Sequence, residues 1–277
     1  MHFSKMQGIG NDFVFVDCFT QAVPDPSRLA LVMSKQHFGV NADGLILVEP
    51  SDTADFAMRI FNSDGSEAEM CGNGIRCFGK YVYERGLTAK KELCIATKGG
   101  LKQIRLFTDG NTVTSVTVDM GSPELNPRMI PVDLPGEMVL RHRMQIMGQS
   151  YFITCVSMGN PHTVLFVRDP EVIDLPVIGP LLEHHPLFPR RTNVEFVRVI
   201  SRDILQIRVW ERGVGETLAC GTGACASLVA AVLGGQSDRR VQMKLTGGNL
   251  NIYWNPDDDH VYLSGPAEFV FEGDWPD

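Results

Sequence analysis

Apolar residues recur with the short period of strands in MHFSKMQ at 1–7 and DFVFVDCF at 12–19, and again in QSYFITCVSM at 149–158 and HTVLFV at 162–167. Each pair is followed by a segment of helical spacing, at 26–36 and at 175–185. A third helical face lies behind SEAEMCGNGIRCFGKYV at 66–82, where Ile75, Phe78, Gly79 and Val82 share one side, and its counterpart is ETLACGTGACASLVAAVL at 216–233. After these helices the runs ELCIATKGGLKQIRLF, TVTSVTVDM, VQMKLTGGNLNIYW and HVYLSGPAEFVFEG alternate and are broken by Gly, Asn and Asp, as meanders are. The pattern predicts an α+β fold with mostly antiparallel strands.

The pattern also repeats. Cys220 lies 149 positions after Cys71, and the same offset carries Asn11 onto Asn160, Gly44 onto Asn193, Arg59 onto Arg208, Asn62 onto Glu211 and Glu67 onto Glu216 without a gap. So long a period means a duplicated domain and excludes a solenoid. The Pro-rich stretch GSPELNPRMIPVDLPGE at 121–137 is the natural crossing between copies, and SGPAEF near the C-terminus resembles its start. A matching second crossing would return the last strand to the first copy. The expected halves are therefore residues 1–121 with 266–277, and residues 122–265.

Composition narrows the partners. The formal charge is −8, from 25 basic and 33 acidic side chains, and no basic run exceeds a pair or so. That balance argues against nucleic acid and against an anionic membrane surface, and for a small-molecule ligand. No apolar stretch approaches the ~18 residues of a membrane span, and Met1–Gly10 lacks the apolar core of a signal peptide, so a cytoplasmic protein is expected. Seven cysteines, an odd number, do not read as a disulfide framework. Register separates them: only Cys71 and Cys220 coincide in the repeat, whereas Cys77 falls on Ala226 and Cys225 on Arg76. Cys18, Cys94 and Cys155, and with them Cys77 and Cys225, read as core residues. For a zinc site built from Cys71, Cys77, Cys220 and Cys225, only the second pair has a zinc-ligand spacing, and no histidine lies beside them.

A Cys-Gly-x-Gly ahead of a helix suits a tight turn that exposes backbone N–H groups, and it seats each thiol where the helix dipole favours a thiolate. Copies packed about a pseudo-twofold axis would face Cys71 with Cys220, and two such thiols should hold one proton between them. An acid and a base aimed from opposite sides suit inversion at a carbon, with the Gly-rich helix starts as N–H donors to a carboxylate as charge builds on it. That is racemisation or epimerisation.

At this point GNDFVFVD, NSDGSEAEMCGNGIRC, MGNPH, RTNVEFV and ERGVGETLACGTGA resemble the motifs of the diaminopimelate epimerases over nearly the whole chain. The resemblance implies two pseudo-symmetric halves, each a strand barrel around a central helix, an active site in the cleft between them, no pyridoxal phosphate or other cofactor, no metal, and a possible homodimer. It implies Cys71 and Cys220 as the acid/base pair and Gly72, Asn73, Gly221 and Thr222 as the cradle of the reacting carboxylate. Glu211 and His162 would lie near the reacting amino group. Asn11, Asn62, Asn160, Asn193 and Arg212 would hold the distal end of the substrate, with Arg212 pairing its carboxylate. Some members carry Gln where this chain has Gly44, which excludes Gly44 from side-chain binding. Taken singly, Asn11, Asn62 and Asn160 read as turn formers, ERGVGET as a solvated turn and His162 as a loop histidine. A racemase of another amino acid such as proline, and a thiol-based metal or redox module, stand as alternatives.

Overall fold

Both Cys-Gly-x-Gly motifs open a helix of 13 residues in the computed structural model, which describes residues 1–276. The chain forms two compact units, Met1–Asp119 with the segment from Ser264 onward, and Met120–Leu263. The first carries β1 (His2–Gly8), β2 (Asn11–Asp17), α1 (Pro26–Met33), β3 (Gly44–Glu49), β4 (Phe56–Asn62), β5 (Glu67–Ala68), α2 (Gly72–Glu84), β6 (Glu92–Thr97), β7 (Gly100–Asp109) and β8 (Thr112–Asp119). The second carries β9 (His142–Ile146), β10 (Gln149–Ser157), β11 (Pro161–Phe166), α3 (Leu175–Glu183), β12 (Asn193–Ser201), β13 (Ile204–Glu211), β14 (Gly215–Thr217), α4 (Gly221–Leu233), β15 (Arg240–Leu245) and β16 (Gly248–Trp254). β17 (Val261–Gly265) spans the boundary, and β18 (Glu268–Asp274) belongs to the first unit.

Most pairings are antiparallel, but each unit has two parallel joints, β2–β3 and β4–β6 in the first, β11–β12 and β13–β15 in the second. A parallel pair cannot be closed by a tight turn and needs a crossover, and the four helices are those crossovers. α1 and α3 are shorter than their apolar pattern suggests. Asp25 caps α1 by accepting the Arg28 N–H, Pro26 pre-sets the first turn, and the helix stops at Ser34 ahead of a turn in which His37 has φ 67°. α3 ends at Glu183, with His184 as its cap.

The two long helices are almost wholly buried. α2 packs against β1, β2, β4, β7 and β8, and α4 against β10, β11, β12, β13 and β16, so in each unit the sheet wraps around its helix. Hydrophobic burial on all sides is what fixes these helices, because their glycine-rich first turns are poor helix formers. The repeat holds down to pairing register: Phe13 lies opposite Gly44 as His162 lies opposite Asn193, and Ile60 opposite Ala68 as Val209 lies opposite Thr217. Arg59 Nε reaches Glu67 at 2.8 Å and Arg208 Nε reaches Glu216 at 2.9 Å.

β18 pairs antiparallel with β1 from His2–Asp274 to Gln7–Glu268, and Phe271 meets Phe3 edge to face. Within the same unit the buried Arg76 donates from Nε to the Pro266 carbonyl at 3.2 Å. The expected terminal strand runs to residue 277, which lies outside the described residues. Cutting the chain after Gly265 removes this ladder and uncovers Phe3, so it should lower stability by at least about 3 kcal/mol. Calorimetry of the shortened chain should show a depressed Tm; an unchanged Tm would mean that β18 contributes nothing to the unit it pairs with.

Candidate active site

In the first unit the β1–β2 hairpin turns through Ile9 (φ 50°) and Gly10 (φ 86°), and this turn delivers Asn11 to the start of α2. Cys71 is the N-cap of α2, and its Sγ accepts the Gly74 N–H at 3.5 Å. The thiol donates to Asn11 Oδ1 at 3.5 Å, and Asn73 Nδ2 donates to the same oxygen at 3.2 Å. Asn11 Nδ2 is anchored on Asp43 at 2.6 Å. Beneath them the Arg76 guanidinium, fully buried, donates to the Gly72 carbonyl and to Asn73 Oδ1, both at 2.9 Å. Asn62 ends β4 and donates to Ser66 Oγ at 3.0 Å.

The paired glycines differ in role from the tight turn expected of them, for all four lie inside helices and none has positive φ. Gly74 and Gly223 serve close approach instead. A Cβ on Gly74 would stand 2.8 Å from Ile46 Cδ1, and one on Gly223 would stand 2.7 Å from Glu195 Oε1 and 3.3 Å from Cys220 Sγ. The strand below each helix can therefore touch the backbone of its first turn.

The second unit repeats the cap and changes its surroundings. Cys220 Sγ accepts the Gly223 N–H at 3.4 Å and lies 3.5 Å from Thr222 Oγ1. Glu211, at the end of β13, accepts the Thr217 hydroxyl at 2.5 Å, and its burial raises the carboxyl pKa. Burial, then the carboxyls of Glu211 and Glu195, push the Cys220 thiol well above its usual range. This corrects the expectation that a helix start lowers both thiols: at Cys220 a single N–H at the sulfur is outweighed by desolvation and like charge. His162 and Glu195 are both fully buried, with His162 Nδ1 2.6 Å from Glu195 Oε1 and Nε2 2.9 Å from Asn160 Oδ1. Asn193 donates to the Pro161 carbonyl at 2.8 Å and accepts the Arg212 backbone N–H at 2.9 Å, so it shapes the turn before β14. Glu183 accepts the Gly213 N–H at 3.0 Å and the Trp210 indole N–H at 2.8 Å from the other side of that turn. The Arg212 side chain is exposed, donates to the Arg190 carbonyl at 3.1 Å, and makes no ion pair among the described residues.

Two N-capping cysteines at equivalent places in a duplicated fold can be compared with known proteins. The family model described as Diaminopimelate epimerase matches residues 3–126 and 154–270. The chain belongs to the diaminopimelate epimerase family. A relative named diaminopimelate epimerase in Acetivibrio thermocellus is 54% identical over 274 residues, covering 99% of this chain and 98% of its own. One of the same name in Moorella thermoacetica is 54% identical over 277 residues, covering 100% and 99%. Among solved structures, a hydroxyproline epimerase from Agrobacterium vitis shares the fold with TM-score 0.73 at 15% identity, covering 99% of this chain and 90% of that one. A Bacillus anthracis phenazine biosynthesis protein of the PhzF family does so with TM-score 0.71 at 18% identity, covering 99% and 98%.

Of the residues that the diaminopimelate epimerase motifs single out, the first unit gathers Cys71, Asn11, Gly72 and Asn73 at one helix start. The second gathers Cys220, Thr222, Gly221, Glu211, His162 and Asn160 at the other. Gly44 has no room for a side chain, since its Cβ would stand 2.5 Å from the Phe61 carbonyl oxygen. Burial pushes Cys77 and Cys155 up to about 12 and Cys18 up to about 11, far from reactivity. No group of three or more His, Cys, Asp or Glu among the described residues is placed to hold a metal. Glu195, Asp43 and Glu183 escaped sequence reasoning, although the lone acid inside the apolar run NVEFV marks Glu195.

The Glu211 carboxylate opposes ionisation of the Cys220 thiol, so Glu211→Gln should lower the Cys220 pKa. Iodoacetamide labelling at fixed pH, followed by peptide mapping, should then modify Cys220 faster than in the parent protein. An unchanged rate would remove Glu211 from the environment of the thiol.

Proposed function

We propose that this chain interconverts LL- and meso-diaminopimelate by two-base proton transfer at the α-carbon, in the supply of lysine and peptidoglycan precursors. The observation that carries the reading is the pair of repeat-equivalent cysteines, each capping a buried helix, in a chain that belongs to the diaminopimelate epimerase family. One sulfur takes the α-proton, so that a C–H bond breaks as an S–H bond forms. The other gives its proton to the opposite face. Charge that builds on the reacting carboxylate is met by first-turn N–H groups of α2 and α4, at Gly72, Asn73, Gly221 and Thr222, which have no carbonyl partner inside their helices. Burial beside Glu211 favours the protonated form of Cys220, which fits it as the donor of the free enzyme and leaves Cys71 as the base.

Glu211 and His162 border the second thiol and suit the reacting amino group. Arg212, exposed and without an acidic partner among the described residues, suits the distal carboxylate, with Asn11, Asn62, Asn160 and Asn193 around the distal ammonium and carboxylate. Asn193 keeps one amide N–H for this role after its bonds to Pro161 and Arg212. That polar set favours a substrate with two amino acid heads over proline. The reading extends to a cytoplasmic homodimer without cofactor, for which the size of the protein in solution is the test.

Three measurements check the proposal. Cys71→Ala and Cys220→Ala should each reduce epimerisation by at least about 1000-fold, whereas Cys77→Ala and Cys225→Ala should retain most of it; equal losses at all four would favour a metal site. Arg212→Met should raise KM by about tenfold or more with a smaller change in kcat, and an unchanged KM would return the case to a smaller amino acid. In deuterated water at low conversion, product should carry deuterium at the inverted carbon while recovered LL isomer stays protiated, because the abstracting thiol can return only the proton it has just taken. Comparable label in both pools, with thiol exchange shown to be slower than turnover, would leave a single swinging base.

A further inference from the structure

Glu195 occupies a strand position that the first copy fills with Ile46, and His162 one that the first copy fills with Phe13. Both side chains have zero exposure. Around Glu195 lie His162 and the Thr163 backbone N–H from β11, Cys155 from β10, Gly223 and Cys220 at the start of α4, and Glu211 from β13. Glu195 Oε1 is held by His162 at 2.6 Å and the carboxyl also draws on the Thr163 backbone N–H, while Oε2 meets no hydrogen-bond partner within bonding distance among the described residues.

Two proton counts fit an imidazole between a carboxyl and an amide. With a carboxylate and an Nδ1–H imidazole, Nε2 is a lone pair, and it would face the Asn160 carbonyl oxygen at 2.9 Å. With one proton more, Nε2–H donates to that oxygen and a second proton lies between Nδ1 and Oε1. The added proton also leaves the buried pair without net charge, which suits a carboxyl that has one oxygen without a partner within bonding distance and a second acid, Glu211, close by.

We propose that Glu195 is a positioning residue for the reaction: with His162 it holds one buried proton, which keeps Nε2–H on Asn160 Oδ1 and turns the Asn160 amide nitrogen outward as a donor to a carboxylate oxygen of the substrate. Only this last step rests on the substrate reading given above. The Asn160 NH2 group makes no hydrogen bond among the described residues. Glu195 then repels the Cys220 thiolate little, and the repulsion at that sulfur falls to Glu211.

The test begins without substrate, so its failure is separate from failure of the epimerase reading. Nitrogen-15 spectra of the imidazoles should show a proton on His162 Nε2, hydrogen-bonded to the Asn160 amide oxygen. An unprotonated Nε2 overturns the proposal. Glu195→Gln removes no charge from a neutral pair, so iodoacetamide labelling of Cys220 at about pH 8 should stay within about twofold of the parent, unlike the rise expected for Glu211→Gln. A rise of the same size in both variants overturns it. With diaminopimelate, Glu195→Leu should raise KM about tenfold and change kcat by less than about threefold, and Gln at 195 should restore KM. A fall in kcat at constant KM would sever Glu195 from Asn160; where the Leu variant does not fold, the two Gln measurements decide.

Discussion

Apolar burial of one long helix is the constraint on which each unit depends, and a sulfur atom caps that helix. Cysteine is not among the strong N-cap residues, and an N–H held at 3.4–3.5 Å by sulfur adds little stability. The cap therefore does not hold the helix. The helix holds the cap: α2 and α4 are surrounded by strands of their own unit, and that apolar burial fixes where the first turn lies and so where each Sγ can be. The glycines at positions 74 and 223 are part of the same constraint, because a side chain there would displace the tip of Ile46 in the first unit and the Glu195 carboxyl in the second.

On this common backbone the two units carry different chemistry. Offset-equivalent positions read Phe13 and His162, Ile46 and Glu195, Asn62 and Glu211, so the first thiol rests on apolar strands and neutral amides while the second has an imidazole and two carboxyls nearby. The first unit places its buried charge at Arg76, tied to Gly72, Asn73 and Pro266, where it braces the helix start from inside. In the second unit the equivalent position is Cys225, a small buried thiol in place of a guanidinium. Duplication kept the geometry and released the electrostatics, which allows two equivalent sulfurs to take unequal proton affinities.

The sequence carried the duplication because backbone pairing tolerates no drift in register: a one-residue slip would turn each strand inside out. Asn11 and Asn160, Arg59 and Arg208, and Cys71 and Cys220 stay in step for that reason. The position of the thiols at helix starts was equally legible, since apolar spacing behind each motif defines a helix whatever surrounds it. The glycines were misread, because a sequence shows that a side chain is missing and not which neighbour needs the space. The direction of the Cys220 shift was also out of reach. It depends first on desolvation and then on the Glu211 carboxyl, both set by how the strands pack over the helix start, whereas the dipole term that motivated the opposite expectation is local.

Glu195 shows why one buried acid has consequences at several points. Its Oε1 lies where a Gly223 side chain would be, its ring partner His162 orients Asn160, and Cys220 Sγ shares the same glycine surface. Moving Glu195 or His162 requires moving the others, since neither has solvent to move into. A shared proton is the arrangement that lets an acid occupy such a place without opposing the thiolate chemistry next to it. The same packing makes the outer edge of the site permissive: Arg212 and Asn62 stand in solvent on short turns, where a side chain can change without disturbing the helix start.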